Sequence, residues 1–426
     1  MTFVVSRSSP PSLVVPSGPT PAGEIVPFTS MDKARLFASF ASLHVFDGAI
    51  REPAETIRRA LSQALVHYYP VAGRVVQAAG TGSGGDPDFR LACTGEGVAF
   101  VAAAASCTLR DVRFLDAPLA LPPADLALRY GGRPGVSDPL LMVQVTEFAC
   151  GGYVVAATWN HGLADAVGLA QFLRAVGELA CGLPAPSVAP VRRDESLPAE
   201  VPELLAAVLR RHPAGFKPVD FAYCDITIPW SFIDGVKAEF RGHPDAGGRS
   251  CTVFEAVTAA IWQCRARAIH ADPGAPAPLV FAANLRRHVG ARGGYYGNCL
   301  AAQLVVAASG AVAGGAVVDL VRLIKDAKER IPAPAQETTL DEQLAGALCG
   351  YNALYVSSWG GVGMDGVDFG SGPPARVLPS RERAGAPSCV PCLPCRRKGG
   401  DGSNAVARCV TAEHADEFHA QLAGLR

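Results

Sequence analysis

A chain of 426 residues is too long for one ordinary hydrophobic core, which sets an expectation of two domains of roughly 200 residues each. Hydrophobic side chains make up 49% and charged ones 18%, a balance that suits large buried cores and argues against wholesale disorder. A formal net charge of −1 supplies no basic field for nucleic acid or an acidic membrane, and no apolar run approaches the ~20 residues of a membrane span.

The opening stretch, MTFVVSRSSPPSLVVPSGPTPAGE, lacks a basic region followed by a long apolar core, so it does not read as a secretory signal. In EPAETIRRALSQALVHYYPVAGRV, Ile57, Leu61, Leu65 and Val66 recur at helical spacing, and Pro70 with Gly73 closes the segment. GTGSGGDPD at 80–88 reads as a glycine-rich turn; no Gly-Lys-Ser/Thr follows to make it a phosphate loop. LLMVQVTEFACGGYVVAATWN reads as two strands joined at Gly151-Gly152, the second running straight into His161. The period then changes: Leu169, Phe172, Leu173, Val176 and Leu179 share one helical face that ends near Gly182 and Pro184. His161 therefore stands where a buried strand stops and a helix begins.

The proline- and charge-rich span 183–218 reads as a crossover between domains covering 1–182 and 219–426. Beyond it come a strand near 223–229, a helix near 231–240, the helix TVFEAVTAAIWQCRARAIH and the strand PLVFAANLR. The amphipathic helix AVVDLVRLIKDAKERI and the strand ALYVSSW follow. Helices and strands mix in both halves, which predicts an α/β class. Thirteen cysteines, an odd number without framework spacing, point to reduced thiols in a cytoplasmic protein. Cys389, Cys392 and Cys395 form C-x2-C-x2-C, but Pro391 and Pro394 make the run extended and no fourth ligand sits at short spacing, so no metal site is expected.

Four stretches stand in order: NHGLAD at 160–165, NLRR at 284–287, YYGNC at 295–299 and DFGSG at 368–372. Together with YYPVAGR and TVFEAVTAAIWQCRAR they make the chain resemble, over almost its whole length, the plant BAHD acyltransferases, which move acyl groups from coenzyme A thioesters to alcohols or amines. The resemblance implies a two-domain fold like that of chloramphenicol acetyltransferase, with the active-site channel between the domains. It implies His161 as general base and Asp165 as a structural residue paired with Arg286. It assigns Asp368, Gly370 and Gly372 to a turn away from the reacting atoms, where Ser371 replaces the family's tryptophan. Ser30, Thr252, Tyr296, Asn298 and Trp359 are candidate substrate contacts, and Arg265 and Arg267 candidate contacts for coenzyme A phosphates.

The chemistry suits these residue types. A thioester carbonyl is already electrophilic, so the enzyme must orient the acceptor and take its proton, a task for an imidazole that titrates near neutrality. The resulting expectation is a monomeric, cytoplasmic acyltransferase with acyl-CoA as co-substrate and neither cofactor nor metal. The donor would be a hydroxycinnamoyl or benzoyl thioester. The runs LVFAANLRRHVGARGGYYGNC and CGYNALYVSSW look most like grass enzymes that acylate amines such as tryptamine, tyramine or polyamines. Alcohol acceptors are the alternative, and a catalytically silent or metal-binding protein on the same fold is the reading from a different class.

Overall fold

A computed structural model describes residues 3–81, 87–198, 200–201, 203–212, 214–243, 247–331, 340–380 and 385–425. Most of the glycine-rich turn expected at 80–88 lies outside the described residues. The chain forms two compact units: Met1–Glu200 with Val289–Cys299 and Gly361–Glu382, and Val201–His288 with Leu300–Gly360 and Arg383–Arg426. The division thus differs from a single cut across 183–218. The chain changes unit inside that span, then returns twice to the first unit with the YYGNC segment and the Asp368–Gly372 turn.

In the first unit the main sheet runs in the order Val5–Arg7, Val98–Ala105, Leu141–Phe148, Tyr153–Asn160, Ser39–Phe46 and Arg376–Pro379, and Ser12–Val14 also pairs with Val98–Ala105. Leu141–Phe148 and Tyr153–Asn160 form the antiparallel hairpin read from the sequence. Tyr153–Asn160 is buried at every position because strands flank it on both sides and both of its faces are covered. That double burial is why it reads as a nearly continuous apolar run. A smaller sheet joins Ile25–Pro27, Pro87–Ala92 and Arg74–Thr81.

Helix Pro53–His67 starts with proline at its first turn and buries Ile57, Leu61 and Leu65. Helix Ala166–Ala180 buries the stripe Leu169, Phe172, Leu173, Val176 and Leu179. Two glycines on this helix let other segments touch its backbone. A Cβ on Gly168 would lie 1.8 Å from the Tyr296 carbonyl oxygen, and one on Gly177 would lie 2.2 Å from that of Asp368. Nine residues apart, they sit on opposite faces of the helix. The segment after His161 is therefore the post on which the YYGNC and DFGSG stretches are hung.

In the second unit the sheet order is Cys224–Pro229, Gly402–Arg408, Ser388–Leu393, Leu354–Val356, Pro276–Asn284 and Leu300–Ala308. Helix Val253–Ala268 is buried along most of its length, with Ile261 and Trp262 in the core beside Ile226, Ile233 and Phe281. The span read as a crossover contains a helix, Leu204–Arg211, whose Leu204, Ala207 and Val208 pack with Leu340, Ala345 and Leu348. The C-x2-C-x2-C run lies largely in strand Ser388–Leu393, which is irregular between Val390 and Leu393. Burial raises the thiol pKa of both Cys389 and Cys392, which keeps them protonated. Among the described residues no group of three or more His, Cys, Asp or Glu side chains is placed to hold a metal ion. No helix among them is long and apolar enough to cross a membrane.

One buried titratable group in the first core ties its packing to pH. His44 is fully buried on strand Ser39–Phe46, with Nε2 3.0 Å from the Ser42 hydroxyl. Burial pulls its pKa from 6.5 down to about 3. Above the ordinary histidine value the residue is neutral in both folded and unfolded chains. As pH falls from there toward about 3, only the unfolded chain takes up the proton, so this contribution to stability is progressively lost. Replacing His44 with Gln should therefore flatten the acid limb of the stability curve. Between about pH 7 and about pH 4, parent and variant should diverge by on the order of 2–4 kcal/mol in the variant's favour. Denaturant unfolding across that range checks it; parallel curves would contradict it.

Candidate active site

Strand Tyr153–Asn160 delivers His161 to the surface of the sheet end. The last registered pair with the neighbouring strand is Ser39–Asn160, and the His161 N–H extends the ladder by donating to the Ala38 carbonyl at 2.7 Å. Asn160 then turns the chain. Its buried Oδ1 accepts from Gly162 N at 3.0 Å and from Phe37 N at 3.3 Å, and its carbonyl accepts from Leu163 N at 2.9 Å. The Trp159 indole N–H closes the turn on the Ala164 carbonyl at 3.0 Å. The His161 imidazole is half-buried and meets the Phe40 ring edge-on, with centroids 4.6 Å apart. Phe40 escaped sequence reading, since nothing in SFASLHVF separates it from an ordinary strand aromatic.

Asp165 is buried and ends the turn as the N-cap of helix Ala166–Ala180. Its Oδ1 accepts from Gly168 N at 3.0 Å, satisfying a free helix-end donor, and its Oδ2 accepts from Cys299 N at 3.0 Å. Each carboxylate oxygen thus holds a backbone N–H, one of the following helix and one of the YYGNC segment. Arg286 belongs to the second unit, where its backbone N–H donates to Asn284 Oδ1 at 3.0 Å.

A second carboxylate organises the same turn. Asp32 is fully buried in the short helix Ser30–Lys33, capped by Thr29 in a reciprocal capping box. Its Oδ2 accepts from Thr29 N at 3.1 Å and from Arg192 Nη2 at 3.0 Å. Its Oδ1 accepts from both the backbone N–H of Asn298, at 3.1 Å, and the Asn298 side-chain amide, at 2.9 Å. Asn298 Nδ2 also donates to the His161 carbonyl at 2.8 Å, while Arg192 Nη2 reaches the Gly162 carbonyl at 3.3 Å. Burial alone would weaken the Arg192 charge, but the Asp32 carboxylate and the hydrogen bond to it outweigh that and hold the guanidinium firmly protonated. Sequence reading missed Asp32 and Arg192. The T-x-x-D pattern of TSMD was a usable capping signal for the first. Arg192 sits in the proline-rich span with nothing to mark it.

The strands of chain that meet here are laced by backbone bonds. Val191 bridges to Tyr295 in parallel, its N–H donating to the Gly294 carbonyl at 2.9 Å, and Tyr296 N returns to the Val191 carbonyl at 3.1 Å. Asp194 Oδ2 accepts from Arg292 N at 2.7 Å.

The remaining expected site residues divide by unit. Of the expected substrate contacts, Tyr296 is 2% exposed and packs its ring against Tyr68, and Asn298 is 0% exposed in the interior of the first unit. Ser30 begins the Asp32 helix and is partly exposed. Asp368 Oδ1 accepts from Gly370 N at 2.7 Å and Gly372 N at 2.9 Å, closing the turn that φ of 110° at Gly370 and 88° at Gly372 requires. Ser371, where the resemblance led to the expectation of a tryptophan, pairs its hydroxyl with that of Tyr153 at 2.8 Å. In the second unit, Thr252 caps its own helix by accepting from Glu255 N at 3.3 Å, and Trp359 is 4% exposed with its backbone N–H donating to the Pro391 carbonyl at 3.1 Å. Arg265 and Arg267 lie in the last turn of that helix. Arg265 is buried against the carbonyls of Cys409, Asn352 and Tyr351, and Arg267 donates to the Ala313 carbonyl, which corrects the expectation that Arg265 meets a phosphate.

The capping geometry makes Asp165 testable as a structural residue. In Asp165→Asn one of two acceptor oxygens becomes an NH2 facing a backbone N–H, which costs about 1–3 kcal/mol and lowers the melting temperature together with activity. A variant that melts like the parent yet is inactive would make Asp165 a direct partner in the chemistry.

With this geometry established, likeness to known proteins is informative. The Transferase family model matches residues 9–229 and 235–423. Acyl transferase 15 of Oryza sativa subsp. japonica is 40% identical, covering 100% of this chain and 99% of its own. A myricetin 3-O-glucosyl 1,2-rhamnoside 6'-O-caffeoyltransferase of Crocosmia x crocosmiiflora is 33% identical, covering 99% of each. The crystal structure of vinorine synthase superposes with a TM-score of 0.68 at 19% identity over 99% of this chain and 98% of its own, a likeness of fold. With matches of this extent and a two-domain α/β fold of the chloramphenicol acetyltransferase kind, the chain belongs to the BAHD acyltransferase family.

Proposed function

We propose that this acyltransferase moves an aromatic acyl group, of hydroxycinnamoyl or benzoyl type, from its coenzyme A thioester directly to a small nucleophilic acceptor, with His161 as general base. The observation that carries the reading is the presentation of the half-buried His161 imidazole at a rigid strand-to-helix junction, its main chain bonded to Ala38 and Asn298 and its ring set against Phe40. In the reaction the imidazole takes the acceptor's proton as its O or N attacks the thioester carbonyl. The tetrahedral intermediate then expels the thiolate, to which the imidazolium returns the proton. No acyl-enzyme is needed. The reading keeps Asp165 as a structural residue with Arg286 as its ionic partner, and Ser30 and Trp359 as contacts for the bound substrates. It takes the enzyme to work as a cytoplasmic monomer without resident cofactor or metal.

The acceptor we place first is an arylalkyl amine such as tryptamine or tyramine, on the likeness of the 279–299 and 349–359 runs to amine-acylating grass enzymes. A hydroxyl acceptor is the second reading, favoured by the O-acyl transfer named for the Crocosmia relative.

His161→Ala should lower turnover by at least ~100-fold while the protein stays folded. Coenzyme A release from a panel of acyl thioesters measures it, and a folded variant with most of its activity would sink the assignment. Acceptor class separates by pH. An aliphatic amine, with a pKa near ~10, is mostly ammonium at neutrality, so kcat/KM for an amine should still rise between about pH 7 and 9. An alcohol has no such cationic form and should plateau once the histidine is neutral. Ester formation with that plateau, and no amine consumed at about pH 9, would transfer the assignment to hydroxyl acceptors.

A further inference from the structure

We infer that Asn298 is a positioning residue for His161, carrying the geometry of the buried Asp32–Arg192 pair to the histidine's main chain through one side-chain amide. The inference rests on the reading of His161 as the base. The direction of a residue's Cβ follows from its own backbone, so whatever pins both peptide groups around His161 sets the base from which its imidazole is aimed, and the Phe40 ring 4.6 Å away bounds the rotamer. The N–H side is pinned by the Ala38 carbonyl at 2.7 Å. The C=O side is pinned by Asn298 Nδ2 at 2.8 Å.

Asn298 is itself over-determined. Its backbone N–H and its Nδ2 both donate to the same oxygen, Asp32 Oδ1, at 3.1 and 2.9 Å. The next residue, Cys299, is bonded to Asp165. One amide hydrogen goes to the carboxylate and the other to the His161 carbonyl, and both neighbours are acceptors only. The reversed amide would set its oxygen against them, so the orientation is fixed by chemistry. The Asn298 Oδ1 is buried and has no hydrogen-bond donor among the described residues. An amide that leaves its acceptor unsatisfied in a closed interior is present for its two donors. Asp32 supplies a charged, immobile anchor for the first of them, because Arg192 and the Thr29 cap occupy its other oxygen. No other residue type offers two such hydrogens on so short a stem.

The test uses the full-length protein with 13Cε1-labelled histidine, in which the His161 signal among nine histidines is identified by its loss in His161→Ala. In Asn298→Ala the His161 signal should move and titrate at a shifted midpoint. With an accepted acyl thioester, kcat should fall by ~10–100-fold while the acceptor KM stays within about threefold, as for a displaced base. Asn298→Ser, which keeps one donor, should fall between parent and Ala on both readouts, and it serves as the test if Ala does not fold. A folded variant whose His161 signal, titration and kcat superpose on the parent would overturn the inference, as would a lowered melting temperature with the His161 signal unmoved. The spectroscopic arm needs no substrate. An inactive parent on every thioester therefore counts against the proposed function, whereas an unmoved His161 signal counts against Asn298.

Discussion

A carboxylate shut away from water must have its lone pairs met by donors and its charge met by a cation, and Asp32 imposes that demand at the centre of the first unit. Arg192 meets the charge, Thr29 meets the helix end, and Asn298 meets the remaining oxygen with both its main chain and its side chain. These partners come from residues far apart in the chain, so satisfying one buried group draws the start of the chain, the 189–196 span and the YYGNC segment onto the turn that carries His161. A pair of this kind adds little net stability compared with apolar packing, yet losing one partner costs ~3–5 kcal/mol. Its contribution is to specify one arrangement.

Two further constraints act on the same turn. Asp165 spends one oxygen on the first turn of its own helix and the other on Cys299, so the aspartate of the H-x-x-x-D stretch couples helix and YYGNC segment. Gly168 and Gly177 then allow backbone-to-backbone contact on opposite faces of that helix, where any side chain would collide. The histidine thus rests on main-chain bonds, a cap and close packing, together with the buried Arg192 side chain that reaches the Gly162 carbonyl. That is the support the proposed role of general base would require, since small displacements of a reacting group are expensive in rate.

The Asp368–Gly372 turn is tied to the sheet through Ser371, whose hydroxyl bonds Tyr153, and the Tyr153 ring stacks on Phe46. The turn itself is closed by Asp368 and two glycines, none of which depends on the identity of residue 371.

Periodicity marked the helix after His161, whose burial repeats at helical spacing, while the hairpin ending at Asn160 and the buried helix of the second unit stood out as apolar runs bounded by turn and capping residues. Residue order likewise singled out His161 and Asp165, since a strand-to-helix junction is visible in sequence. Strand Leu300–Ala308 and the strand holding Cys389 were not, as short segments of small or cysteine residues carry weak alternation and form by pairing with distant partners. Helix Leu204–Arg211 was masked by the prolines and charges around it and exists because Val208 found a pocket of apolar neighbours. Asn298 read as a substrate contact from its motif, and only the fold showed that its amide faces inward to Asp32. What the sequence determined by itself was the strongly patterned elements around His161 and the choice of His161 as the residue proposed to act as base. Which buried groups hold that base was decided by tertiary structure, because a hydrogen bond between residues 32 and 298 has no local signature and exists only once burial has removed water as the competing partner.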